Sequence, residues 1–138
     1  MLEENKALVV RFYAELDRLQ SFPAELCGPG FTLEFAGRPP MDLDGANQFV
    51  GGFYSGIPDL SHGVDEMTAE DDIVATKLTV RGTQTGPLMG MPASGKPFEI
   101  WAMTRMVVKD GKVVGGRVLF DQFGQMQQLG AIPAPATA

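Results

Sequence analysis

IVATKLTVRGT, residues 73–83, is the stretch that decides the fold of this chain. It is rich in β-branched residues and follows an acidic turn at residues 70–72, so it predicts a strand. FEIWAMTRMVV, residues 98–108, continues in the same way and runs into Lys109-Asp110-Gly111-Lys112, whose Asp-Gly pair is a hairpin signal. Residues 113–120 then supply the returning strand. The second half of the chain therefore predicts a run of long antiparallel strands.

The first half of the chain has a different period and predicts helices. From Glu3 to Leu19, apolar residues recur at spacings of three and four with charged residues between them, which indicates an amphipathic helix. Asp44 is expected to cap a second helix, which the Gly51-Gly52 pair weakens. Residues 31–35 alternate as a short strand, and residues 122–129 predict a closing helix. Helices followed by antiparallel strands favour an α+β fold, with the helices packed on one face of a curved sheet.

Length and composition fit one globular domain. The 138 residues are 44% hydrophobic and 20% charged, and we expect a domain over residues 1–130 with a small, proline-rich, disordered tail over residues 131–138. The net charge of −6 comes with no basic stripe, so nucleic acid is not an expected partner. The chain has no apolar run long enough for a bilayer, no signal-peptide pattern at its start and a single cysteine, so we expect a cytoplasmic protein that does not bind membranes.

Several short strings occur along the chain in an order and at spacings that belong together. They are Phe12-Tyr13, Phe53, Ile57-Pro58-Asp59-Leu60, residues 82–86, residues 90–96, Arg105, Asp110-Gly111-Lys112, Asp121 and Gln128-Leu129-Gly130. Together they resemble the SnoaL-like polyketide cyclase, or ester cyclase, branch of the nuclear-transport-factor-like cone fold. The resemblance covers nearly the whole chain.

The resemblance implies a cone whose sheet and helices enclose an apolar pocket, usually in homodimers or larger homo-oligomers. It implies that an aspartate at the end of the last strand acts as general acid/base in an aldol closure on a polycyclic, apolar substrate. Asp121 matches that aspartate, and apolar neighbours can raise the pKa of a carboxyl towards the working pH. The alternative is that Asp121 caps the final helix.

The resemblance also suggests partners for Asp121. Gln84 stands where family cyclases tend to carry a histidine, and Gln84, Arg105 or Arg117 is the expected hydrogen-bond donor to a developing enolate. An apolar small molecule is the expected ligand, and its binding residues are expected to be Phe12, Tyr13, Phe53, Trp101, Met103, Leu119, Met89 and Met91. Trp101, Met103 and Arg105 alternate along one strand, so they share a face; core packing, or a solvent-facing Arg105, is the alternative. Met89 and Met91 either cover the mouth of the pocket or belong to satellite core or a subunit contact.

The remaining chemistry-bearing residues suggest structural roles. His62 is the one histidine, and we expect a surface or structural residue rather than a base. Cys27 is expected to be a buried thiol. One histidine and one cysteine do not make a metal site, and no cofactor is expected.

Three functions stay open from the sequence. The first is a small-molecule enzyme of the SnoaL-like cyclase type that performs acid/base chemistry: aldol-type cyclisation, isomerisation or a related lyase reaction. It predicts that Asp121→Asn abolishes turnover. The second is a non-catalytic module that binds a hydrophobic metabolite with little dependence on Asp121, and the third is a dimeric interaction module with no ligand affinity.

Overall fold

A computed structural model describes residues 1–133 of the chain and has the expected α+β fold. The elements follow in the order α1 (Leu2–Leu19), β1 (Cys27–Phe35), α2 (Leu43–Gly56), β2 (Ser61–Glu70), β3 (Ile73–Thr83), β4 (Pro97–Lys109), β5 (Lys112–Phe120) and α3 (Gln122–Gln128), with a short 3-10 helix at Ala24–Leu26 before β1. The five strands form one curved sheet in the order β1-β5-β4-β3-β2, and the helices pack on it.

The long strands form as their sequence predicts. β3 pairs with β4 in an antiparallel register from Ile73 opposite Val107 to Thr83 opposite Pro97, without a shift. Asp110 and Gly111 both have positive φ, 52° and 72°, which is the conformation that a two-residue hairpin turn requires. β4 and β5 are thereby held side by side.

The first half of the chain differs from expectation in two places. β1 is longer than the predicted strand and pairs with β5 in parallel, so the sheet is antiparallel except at this edge. Asp42, rather than Asp44, caps α2, because its Oδ1 accepts a hydrogen bond of 2.8 Å from the backbone N–H of Gly45. Asp44 lies in the first turn of α2, where a carboxylate stabilises the helix through a favourable interaction with the helix dipole.

The core lies between the helices and one face of the sheet. Along β3 and β4 every second residue is buried, from Val74 to Val80 and from Phe98 to Val108. The buried face of α1 meets this surface with Val9, Phe12, Tyr13 and Leu16. No helix within residues 1–133 is long and apolar enough to cross a membrane. Residues 134–138, part of the predicted tail, lie outside the described residues.

Candidate active site

A cavity of about 80 Å³ lies inside the cone, between the sheet and the three helices. Its apolar walls are Leu16, Phe22, Phe35, Val50, Phe53, Leu60, Leu78, Val80, Ile100, Ala102, Met106, Val118 and Phe120. The polar side chains in the lining are Tyr13, His62, Thr104 and Gln125. Sites for drug-sized ligands have roughly 300–1,000 Å³, so the cavity suits a small ligand, and its walls must part to admit several rings.

His62 of β2, one of the polar lining residues, pairs with Asp17 of α1, which is not itself in the lining. Asp17 Oδ1 is 2.7 Å from His62 Nδ1 and also accepts a hydrogen bond of 2.7 Å from the hydroxyl of Tyr54. Asp17 Oδ2 accepts from the backbone N–H of His62 at 2.8 Å. The carboxylate therefore fixes both the backbone and the ring of His62.

The ionisation of Asp17 determines which nitrogen of the His62 ring carries the hydrogen. Burial by itself raises the pKa of Asp17, but the hydrogen bonds from His62 and Tyr54, with the charge of His62, outweigh it and lower the pKa below its ordinary value. An ionised carboxylate only accepts hydrogen bonds, so Nδ1 carries the ring hydrogen. Whenever the ring of His62 is neutral, its lone pair is therefore on Nε2, which none of the hydrogen bonds among the described residues uses. An imidazole in this state beside a cavity can take a proton from a ligand.

A second polar pair stands next to the imidazole. The hydroxyl of Tyr13 is 2.5 Å from Oγ1 of Thr104, and the Tyr13 ring stacks on His62 with centroids 6.1 Å apart. Burial raises the pKa of Tyr13 by more than its bond with Thr104 lowers it, so the phenol keeps its hydrogen. One of the two hydroxyls donates to the other, so the pair has one hydroxyl hydrogen left to donate beside a potential base.

Asp121 has the capping role that the sequence left open. Its Oδ1 accepts a hydrogen bond of 2.9 Å from the backbone N–H of Gly124, at the start of α3. The side chain is exposed and does not line the cavity, although Phe120 before it does. A catalytic role for Asp121 stays a prediction.

The other two predicted catalytic residues also lie away from the cavity lining. Gln84 is buried, but its Nε2 donates to Pro92 O at 3.2 Å and its Oε1 accepts from the Ser94 N–H at 3.3 Å, so its amide holds the loop at residues 86–96. Arg105 is exposed on the outer face of the sheet. The structure therefore does not bring Gln84, Arg105 and Asp121 together around the cavity.

The expectation that Trp101, Met103 and Leu119 line the pocket is corrected. Their exposed fractions are 53%, 43% and 58%, because the inner face of β4 and β5 is formed by the alternate residues of each strand. Alternation groups residues into two rows but does not say which row faces inward.

The predicted pocket residues outside these strands fall into two groups. Tyr13 and Phe53 line the cavity, whereas Phe12 is fully buried behind it and contacts the Tyr13 ring edge to face. Met89 is 44% exposed and Met91 packs partly on the core, so neither is in the lining. In this structure, Met89 of the loop at residues 86–96 lies on the surface and Met91 packs against the core, and neither covers the cavity.

Within residues 1–133, no three His, Cys, Asp or Glu side chains come together as ligands for a metal. Burial raises the pKa of the Cys27 thiol to about 11, so it stays protonated at neutral pH.

Comparison with known proteins places the chain in one family. A sequence model of the SnoaL-like polyketide cyclase family matches residues 7–129, and the chain belongs to this family of small-molecule enzymes. No curated protein matches the chain at a significant level.

Solved structures show the same fold along nearly the whole chain. AclR from Streptomyces galilaeus, a candidate hydroxylase, superposes with a TM-score of 0.88 at 24% identity over 99% of this chain and 87% of AclR. A candidate SnoaL-like polyketide cyclase from Jannaschia sp. CCS1 has a TM-score of 0.83 at 26% identity, covering 95% of this chain and 94% of that protein. IdmH from Streptomyces antibioticus, a candidate polyketide cyclase, has a TM-score of 0.81 at 26% identity, covering 91% of this chain and 98% of IdmH.

Proposed function

We propose that the protein is a cofactor-free acid/base enzyme that moves a proton on a small, mainly apolar carbonyl compound, with His62 as the base. The observation that carries the proposal is the bond between His62 Nδ1 and Asp17 Oδ1 beside the apolar cavity. Asp17 is the positioning residue, because it holds the ring in the tautomer whose Nε2 is free. The proposed residues differ from Asp121, Gln84 and Arg105, which the sequence suggests, but the chemistry is acid/base catalysis in both cases.

The proposed reaction begins at the carbon next to the carbonyl. Nε2 of His62 takes a proton from this carbon; the electrons of the C–H bond form a C=C bond, and the π electrons of the carbonyl move to its oxygen to give an enolate. Asp17 stabilises the imidazolium that forms, and the Tyr13–Thr104 pair supplies one hydroxyl hydrogen as the nearby donor for the enolate oxygen. The apolar walls exclude water, which strengthens both interactions.

The fate of the enolate defines the reaction type. If its carbon attacks a second carbonyl of the same substrate, a C–C bond forms and the imidazolium returns the proton to the new alkoxide, which is an aldol cyclisation. If the proton returns to another carbon, the result is isomerisation. The family name and the names of IdmH and the Jannaschia protein support cyclisation.

The test uses the first step alone, because every version of the proposal contains it. Exchange of the α-hydrogens of 1-indanone for deuterium in D₂O is followed by NMR with wild-type protein and variants. We expect catalysed exchange by the wild type and a loss of about 100-fold or more in His62→Gln, since a positioned base contributes roughly 10²–10⁴-fold. Asp17→Asn should cause a comparable loss, because an amide no longer fixes the tautomer. Arg105→Gln, on the outer face, should exchange at the wild-type rate.

Two results would contradict the proposal. Unchanged exchange in His62→Gln removes the base assigned here. Binding of 1-indanone without faster exchange in the wild type favours the alternative function, a non-catalytic binding module, which the largely apolar lining would also serve.

A further inference from the structure

Gln125 places a buried polar group without a partner in the cavity wall. Its side chain is only 2% exposed, it lines the cavity, and its Oε1 has no hydrogen-bond partner within residues 1–133. A buried acceptor without a partner lowers the stability of the folded protein, so such groups are few and call for an explanation. An apolar residue of the same size would remove this cost.

The helix that carries Gln125 is held firmly on the sheet. Asp121 caps it, and the backbone N–H of Gln125 donates to Asp121 O at 3.1 Å. Further along, the amide of Gln128 makes two bonds with the backbone of Glu99 in β4, from Glu99 N at 2.7 Å and to Glu99 O at 3.0 Å. These contacts fix the backbone at Gln125, so its side chain, with the unpartnered Oε1, stays at the cavity wall.

We infer that Gln125 is a specificity-determining residue that binds a hydroxyl group of the substrate. An amide end group presents an acceptor and a donor, and a hydroxyl can pair with either one, whereas a methyl group at the same place pairs with neither. The substrate class narrows accordingly to hydroxyl-bearing, mainly apolar carbonyl compounds. The inference rests on the proposed function for the cavity and for the carbonyl class of the substrate, but it does not depend on which residue is the base.

The experiment compares two ligands of nearly equal shape, phenol and toluene, by NMR titration. Wild-type protein should favour phenol, and Gln125→Met should shift the ratio of the two dissociation constants by about 10-fold towards toluene, the size of one lost hydrogen bond. Gln122→Met is the matched control, because it makes the same substitution at an exposed position of the same helix. Its ratio should equal that of the wild type.

A second measurement separates recognition from a structural role. Without ligand, Gln125→Met should melt at a higher temperature than the wild type, since it removes a buried acceptor that has no partner. A lower melting temperature, or an unchanged phenol-to-toluene ratio, would overturn the inference while leaving the proposed function intact. If the wild type binds neither phenol nor toluene, the result would count against both the proposed function and the role of Gln125, because both require the cavity to bind a small apolar molecule.

Discussion

At the scale of single residues, His62 is where the proposed role differs most from the expectation drawn from the sequence. The sequence around it offers no sign of a partner, and we expected a surface or structural residue. Its partner Asp17 lies 45 positions earlier, so their contact depends on how α1 packs against β2. One local signal was available: Tyr13 and Asp17 are four residues apart on a helix and so share a face. The proposal that His62 is the base could therefore not be made from the chain alone.

Substitution of Asp121 tests whether His62 or Asp121 is the acid/base of the site. Asparagine caps helices about as well as aspartate, so Asp121→Asn should keep α3 in place and exchange 1-indanone at close to the wild-type rate. Asp121→Ala loses the cap and should lower the free energy of unfolding by about 1 kcal/mol. The exchange assay and urea denaturation measure the two effects. A large loss of exchange in Asp121→Asn at unchanged stability would establish Asp121 as the acid/base that the family resemblance implies.

At the scale of elements, local sequence patterns predict where the strands lie in the chain but not how they pair or which face of each strand is buried. The bounds of β3 and the turn between β4 and β5 follow from β-branched content and from Asp110-Gly111. The parallel pairing of β1 with β5 joins distant parts of the chain, and no local pattern encodes it. The inward row of β4 was likewise undetermined, because both of its rows contain apolar residues.

The close contact between α2 and the loop at residues 86–96 can be tested with two glycines of the same helix. A Cβ at Gly56 would lie 2.5 Å from the backbone oxygen of Pro87, whereas a Cβ at Gly51 would have nothing within 4 Å. Gly56→Ala should therefore lower the free energy of unfolding by about 1–3 kcal/mol. Gly51→Ala should raise it by about 0.5–1 kcal/mol, because alanine favours the helix. Urea denaturation checks both, and an unchanged Gly56→Ala would show that the loop does not pack as described.

At the scale of the whole molecule, the sequence predicted the family and the cone but not the contents of the cone. The polar residues of the cavity come from α1, β2, β4 and α3, and only the assembled fold brings them together. Trp101, Met103 and Leu119 form an exposed apolar patch on the outer face, suited to contact with a second copy. The homodimer expected from the resemblance stays a prediction.

The most direct test of the central claim is the ¹⁵N NMR spectrum of the imidazole, which is free of overlap because the chain has one histidine. At about pH 8, where a histidine is ordinarily neutral, we expect Nδ1 to show the shift of a protonated ring nitrogen and Nε2 that of an unprotonated one. Addition of 1-indanone should shift the Nε2 resonance. Two results would contradict the claim that His62, oriented by Asp17, is the base. One is a neutral ring protonated at Nε2, and the other is an Nε2 signal that does not shift at saturating 1-indanone.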